Sequence, residues 1–232
     1  MTRDEAKQKL VAGGHILDAA GQGDFTRGHI CVRVPDDANQ FYMKPHSFGF
    51  DEMTVDNVVT CDLEGNKVDG WAPRHSEVYI HSEIFKMRPD LNASIHTHPT
   101  YAVAFSALGR RMKALSQPSA LFVDNYGVYT DSIDLIRSKD MGHGVAKALG
   151  KCPVVFLKNH GVVVCGPTIE DAVISCIMLE NACQIQMIAD AAGETAGEFP
   201  MEDVMALRKK LLSPEQNAIN FKYLQRRVER AR

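Results

Sequence analysis

This 232-residue chain has no Cys-x-x-Cys pair, no internal repeat, no low-complexity tract and no linker long enough to divide it. Each absence removes a class of protein. Without paired cysteines, Cys31, Cys61, Cys152, Cys165, Cys176 and Cys183 read as buried thiols in a reducing cytoplasm, most of them set in apolar stretches such as Val162-Val163-Val164-Cys165. No run reaches the roughly 18 apolar residues of a spanning helix, and Met1-Thr2-Arg3-Asp4-Glu5-Ala6-Lys7 lacks an apolar core, so neither a membrane span nor an export signal is expected. Charge excess is missing too. The formal net charge is -3 and the pI about 6.3, which advertises neither nucleic acid nor an anionic membrane as partner and leaves a small molecule as the default ligand.

What is present is ordinary globular material, 45% hydrophobic and 24% charged, long enough to bury a core without disulfides as a single domain over residues 1–232. Residues 4–19 place Leu10, Val11, Ile16 and Leu17 at near-helical spacing. Alternation then predicts strands over His29 to Val34 and Gln40 to Lys44, and a hairpin of Val58 to Leu63 and Lys67 to Asp69 around Glu64-Gly65-Asn66. A helix over Ser76 to Met87, a strand over Ala93 to Thr97 and a helix over Thr100 to Leu108 follow, the first two separated at Arg88-Pro89-Asp90. Val154 to Leu157 and Val162 to Cys165 are β-branched runs hinged at Asn159-His160-Gly161. Thr168 caps a long helix, and Met201 to Leu212 and Pro214 to Arg232 read as two more amphipathic helices. The last ends in a basic run, Arg226 to Arg232, taken as a solvated face.

Chemistry concentrates in Ala93-Ser94-Ile95-His96-Thr97-His98-Pro99. One residue apart on a strand, His96 and His98 project from the same face and can share one ion; two histidines on a solvated face would look the same. His160, beside Gly161 and between two apolar strands, is either a third ligand or a core histidine bound to a backbone carbonyl. Glu77, at the start of its helix, is either an acid for the site or a helix cap. Three histidines and a carboxylate suit a catalytic divalent ion with positions left for substrate oxygens.

Ser76-Glu77 with His81 four residues on, Arg88-Pro89-Asp90, His96-Thr97-His98-Pro99 and Lys158-Asn159-His160-Gly161 together resemble the class II aldolase/adducin family over about residues 5–190. The resemblance implies an α/β fold, a mostly antiparallel nine-stranded-type sheet flanked by helices, and a homotetramer with four-fold symmetry whose active sites lie at subunit interfaces. It implies that His96, His98 and His160 hold a divalent metal, Mn2+ or Zn2+. Glu77 would be the acid/base that can also ligate the ion when substrate is absent. Members use a tyrosine from a neighbouring subunit; Tyr126, Tyr129 and Tyr223 are the candidates here.

Sugar-phosphate members of the family carry Gly-Asn-x-Ser-x-Arg, then Thr-Pro-Ser/Thr-Gly, then Ser-Ser-Glu, whose small polar groups cradle phosphate. The corresponding stretches here are Gly28-His29-Ile30-Cys31-Val32-Arg33, Lys44-Pro45-His46-Ser47 and Arg74-His75-Ser76-Glu77. The exchange of small groups for His29, Lys44 and His75 points to a carboxylate in place of phosphate. The expected substrate is therefore a carboxylic acid, bound by His29, Lys44, Arg74 and Ser76, with Glu77 and His75 as catalytic groups. The decarboxylase branch is favoured: loss of carbon dioxide from a hydroxylated aromatic or heteroaromatic dicarboxylate, such as the vitamin B6 breakdown product 3-hydroxy-2-methylpyridine-4,5-dicarboxylate, through a metal-stabilised enolate. An aldolase or epimerase acting on a sugar or sugar phosphate is the first alternative, and a non-catalytic adducin-like interaction module the second.

Overall fold

A computed structural model describes residues 1–193 and 197–231. Its first helix, α1 (Arg3–Leu17), starts at a reciprocal cap in which Thr2 accepts from the Glu5 N–H and Glu5 accepts from the Thr2 N–H, worth about 1 kcal/mol. A π turn, Asp18–Gln22, extends it and ends at Gln22, which is buried and bridges two later elements. The Gln22 side chain donates to the Cys176 carbonyl and accepts from the Thr97 hydroxyl, fixing where the next loop leaves.

Eight strands follow among the described residues: β1 (His29–Val34), β2 (Asp37–Met43), β3 (Val59–Asp62), β4 (Lys67–Asp69), β5 (Ala93–Thr97), β6 (Gly127–Tyr129), β7 (Val154–Leu157) and β8 (Gly161–Gly166). They form one sheet in the order β4-β3-β2-β1-β5-β8-β7-β6. Every neighbouring pair is antiparallel except β6 with β7. The mostly antiparallel α/β architecture is as expected; the sheet has eight strands where nine were anticipated. The remaining α-helices among the described residues are α2 (Val78–Met87), α3 (Thr100–Leu108), α4 (Lys139–Leu149), α5 (Ile169–Ala192), α6 (Met201–Leu211) and α7 (Pro214–Ala231).

The period-two alternation of the strands divides the core. Ile30, Val32, Val34, Ile95, Val162 and Val164 point to one face, packed by α1, α3, α5, α6 and α7. On the other face, Val155, Leu157 and Val163 meet Ile80 and Ile84 of α2 and Val145 and Leu149 of α4, while Cys31, Phe41 and Met43 meet Val78 and Phe85 of α2. Helix α5 is long and apolar enough by composition to cross a membrane, but Ile169, Val173, Cys176, Leu179 and Cys183 on it are buried in the first of these layers. It is a core helix. Thr168 caps it as expected, accepting from the Asp171 N–H, and the Asp171 carboxylate ties α5 to Asn217 of α7.

The short strand β6 and helix α4 were not foreseen. Strand β6 is only three residues long, and α4 contains Gly142 and Gly144, which dilute its helical pattern. Gly142 is required where it is, since a Cβ there would lie 2.4 Å from the Tyr79 carbonyl of α2. In the basic C-terminal run, Arg226, Arg227 and Arg230 are exposed, and Arg232 lies outside the described residues.

Candidate metal centre and active-site cavity

Strand β5 pairs with β1 and β8 in a register that sets His96 opposite both His29 and Val163. His98 continues the same face just beyond β5. His160 arrives from the turn between β7 and β8, where Asn159 adopts the left-handed conformation (φ 61°) that asparagine tolerates better than most residues. Gly161 makes the convergence possible: a Cβ there would stand 2.6 Å from the Thr97 carbonyl and 2.7 Å from Cδ2 of His98. Ligand atoms of His96, His98 and His160 thereby come within 4.8 Å of one another.

The tautomers are settled from behind. His96 Nδ1 lies 3.0 Å from the Val162 carbonyl and must donate to it, so Nε2 keeps its lone pair. His98 Nδ1 faces Oδ2 of Asp24 at 2.9 Å, within ion-pair range although out of line for a regular hydrogen bond. His98 Nε2 then meets His96 Nε2 at 3.0 Å. Two lone pairs so placed repel unless a cation lies between them, and two nitrogens each about 2.0–2.1 Å from one ion are separated by about 3 Å. The ring of His160 stacks on that of His98 at 11°, and its Nδ1 is buried without a hydrogen-bond partner, unlike a core histidine held by a carbonyl. Burial lowers all three imidazoles below their ordinary range, His160 to about 4, keeping them in the neutral form that binds metal. The donor set fits a divalent cation.

A cavity of about 580 Å³ opens in front of this centre. Glu77 lines it at the N-terminus of α2, but its side chain caps nothing. Oε1 accepts from the Ile136 N–H at 2.9 Å, and Oε2 lies 3.7 Å from His29 Nε2. Burial raises the Glu77 carboxyl, opposed by the Ile136 N–H and the charge of Arg137. A second group of potential ligand atoms, from His29, Glu77 and His96, joins the carboxylate to the metal side of the cavity. His75 and Ser76 also line the cavity. Burial, with Lys44 as the next cause, holds the His75 imidazole down to about 3, so His75 is neutral.

Three of the residues expected to bind substrate are placed otherwise. Lys44 is fully buried, and its ammonium donates to the carbonyls of Thr26, Pro45 and Phe48. The Lys44 N–H bonds the Ile30 carbonyl, and Lys44 shares its parity along the chain with Tyr42, which belongs to the α1/α5 face. Alternation thus turns Lys44 away from the face that carries His29 and His96. Arg74 donates to the His75 carbonyl and covers the Tyr79 ring. His29 is fully buried behind Glu77 and is no part of the cavity wall.

The cations that do line the cavity are Arg27 and Arg137, with His46 beside them. Arg27 sits on the loop leaving Gln22 and pairs with Asp24 at 2.7 Å. Arg137 follows Ile136, whose side chain is buried in the layer between the sheet and α2 and α4, which holds that loop against Glu77. Nothing local in the sequence marked either arginine. Of the tyrosines, Tyr126 accepts from the Met112 N–H, Tyr129 is buried, and Tyr223 on α7 is half exposed; none lines this cavity.

Over residues 8–187 the sequence matches the model of the class II aldolase and adducin N-terminal domain. Decarboxylase NovR of Streptomyces niveus is 33% identical over 83% of this chain and 72% of its own. A 3,4-dihydroxyphthalate decarboxylase of Terrabacter sp. (strain DBF63) is 28% identical over 87% of this chain and 89% of its own. Among solved structures, an L-fuculose 1-phosphate aldolase of Glaciozyma antarctica PI12 superposes with a TM-score of 0.87 at 30% identity, covering 99% of this chain and 90% of that one.

Proposed function

The chain belongs to the class II aldolase/adducin family, and from that premise we propose that it is a metal-dependent carboxy-lyase acting on a hydroxylated aromatic or heteroaromatic dicarboxylate. The observation that carries this reading is the joint lining of one cavity by His98 and His160 of the histidine triad, the Glu77 carboxyl, and the guanidiniums of Arg27 and Arg137. Planar guanidinium forks match carboxylates, and two of them suit a dianionic acid. Similarity to a dihydroxyphthalate decarboxylase supports an aromatic diacid bearing a hydroxyl group.

Decarboxylation and retro-aldol cleavage share one difficulty, an electron pair left on carbon. A divalent cation held by His96, His98 and His160, Mn2+ or Zn2+, would supply electrophilic stabilisation of an oxyanion conjugated with that carbon. Glu77 is the proton carrier. Its carboxylate takes the proton of the ring hydroxyl, and the resulting acid gives it to the ring carbon that bears the departing carboxylate. The carbon–carbon bond then breaks, its electron pair returns to the ring, and carbon dioxide leaves a phenolate that solvent reprotonates. A raised Glu77 pKa suits both halves of this transfer. Arg27 and Arg137 hold the retained carboxylate, Ser76 offers a hydroxyl, and neutral His75 supports the ring of the substrate without competing for charge. Six free thiols are in keeping with a cytoplasmic enzyme, and a homotetramer is the assembly proposed for it.

The test is carbon dioxide release from 3-hydroxy-2-methylpyridine-4,5-dicarboxylate, 3,4-dihydroxyphthalate and related ortho-hydroxy acids, with fuculose 1-phosphate as control. Carbon dioxide from at least one acid and none of the aldol products is the expected result. Cleavage of the sugar phosphate with no carbon dioxide from any acid overturns the reading in favour of an aldolase, for which the likeness to a fuculose-phosphate aldolase structure is the support.

A further inference from the structure

Behind Glu77 a line of polar side chains runs through the interior and reaches no solvent. His29 Nδ1 and His81 Nε2 are 2.6 Å apart, and His81 Nδ1 lies 2.8 Å from the Ser94 hydroxyl. The Cys165 thiol donates to that hydroxyl at 3.6 Å. His29, His81 and Ser94 are all fully buried. At the near end, His29 Nε2 has no hydrogen-bond partner and faces Oε2 of Glu77 at 3.7 Å.

One hydrogen must lie between the two imidazoles, and its owner decides what Glu77 meets. If His29 Nδ1 carried it, His29 Nε2 would turn a bare lone pair towards a carboxylate oxygen in a dry interior, which is repulsive. If His81 Nε2 carries it, His81 Nδ1 is an acceptor, and the Ser94 hydroxyl supplies the donor it needs. Ser94 in turn accepts from Cys165, whose thiol burial holds protonated with a pKa of about 12. All donors then point one way, towards Glu77. Because the line ends in a closed interior at Cys165, it cannot pass a net proton along its length. It can only choose a tautomer.

We propose that Ser94 and His81 are positioning residues that hold His29 with its proton on Nε2, directed at Oε2 of Glu77. The consequence is a single N–H aimed at the oxygen that Ile136 leaves free, steadying the carboxylate between proton transfers. This rests on the reading of Glu77 as proton carrier for its catalytic meaning, though not for the tautomer itself.

The test is ring-nitrogen NMR of the metal-loaded protein labelled with ¹⁵N-histidine, the His29 signals being identified by their loss in His29→Asn. In the wild type His29 and His81 should both be protonated at Nε2. His29 protonated at Nδ1 overturns the proposal, and this measurement needs no variant of His81. His81→Leu should redistribute the His29 proton between the two nitrogens, Ser94→Ala should do so more weakly, and His81→Gln, which keeps a donor near the position of Nε2, should restore the wild-type pattern. An unchanged His29 tautomer in His81→Leu also overturns it. With a turned-over acid in hand, His81→Leu should lower kcat by on the order of 10- to 100-fold with KM nearly unchanged, and His81→Gln should recover most of the loss. A failed decarboxylase assay would refute the proposed function alone, since the tautomer measurements use no substrate.

Discussion

Lys44 and Arg137 both bias the imidazole of His75 towards neutrality, after burial, yet the chain uses them in opposite ways. Lys44 is sealed in and spends its ammonium on three backbone carbonyls; Arg137 is exposed at the cavity edge. Arg33 belongs with Lys44, since its guanidinium is buried on the carbonyls of Ala38, Phe85 and Leu91. The histidines divide the same way. His29 and His81 bond one another in the interior, while His98 and His160 line the cavity. Residue type therefore does not decide role in this molecule. What decides it is whether buried partners or open space lie around the end of the side chain.

Removing the open centre is expected to have the largest effect. His98→Ala should lose the metal and all measurable turnover, read by elemental analysis and carbon dioxide assay; full metal content in that variant would move the site elsewhere. Next comes Glu77→Gln, for which turnover should fall by roughly 10²- to 10⁴-fold with metal retained, as expected of a proton carrier; loss of the metal together with activity would make Glu77 a ligand first.

The pair Lys44→Met and Arg137→Met breaks the comparison directly. Lys44→Met strands three carbonyls and should cost about 2–4 kcal/mol in denaturant unfolding. Arg137→Met should cost less than about 0.5 kcal/mol in unfolding but weaken acid binding by about 1.5–3 kcal/mol, seen as a raised KM. If the two variants exchanged these outcomes, the assignment of buried and cavity cations would be wrong.

Acid should expose the interior histidines. Burial holds the folded pKa values of His75 and His81 at about 3, below the roughly 6.5 of an unfolded chain. Above that unfolded value neither state binds the proton and stability is unaffected. Below it the unfolded state binds protons that the folded state refuses, so stability falls as pH drops from about 6.5 towards 3, by up to about 1.4 kcal/mol per unit and per group. Denaturant unfolding of the metal-free protein at pH 7.5 and pH 5 measures this, and equal stability at the two would contradict it. The smallest effect belongs to the surface. Glu64 is held near a pKa of 2 by Lys139 and Lys86, but it is a solvent-exposed side chain, and Glu64→Gln should leave Tm and activity unchanged.

The shared face of His96 and His98 was legible because His-x-His on a strand carries its own geometry, and Asn159-His160-Gly161 marked the turn that brings His160 to them. The place of Glu77 at the start of its helix was legible too. Lys44 was expected in the cavity although the strand expected over Gln40 to Lys44 already gave it the parity of Tyr42; the comparison with the phosphate cradle of sugar-phosphate members was followed in place of that alternation. Arg27 and Arg137 carried no signal because both sit on loops whose course is fixed by distant anchors, Gln22 against Thr97 and Cys176, and Ile136 in the layer under α2.

The sequence by itself determined the strands and helices with strong alternation, the cap of α5, and the shared face of His96 and His98, because these depend on local periodicity and on contacts a few residues away. Only the tertiary structure decided which polar side chains found carbonyls and which found open space, because that depends on where separate segments meet. Lys44 and Arg137 are 93 positions apart in a chain of 232 residues, and no local preference couples them. The folded layers do, by closing over one and leaving the other at the mouth of the cavity.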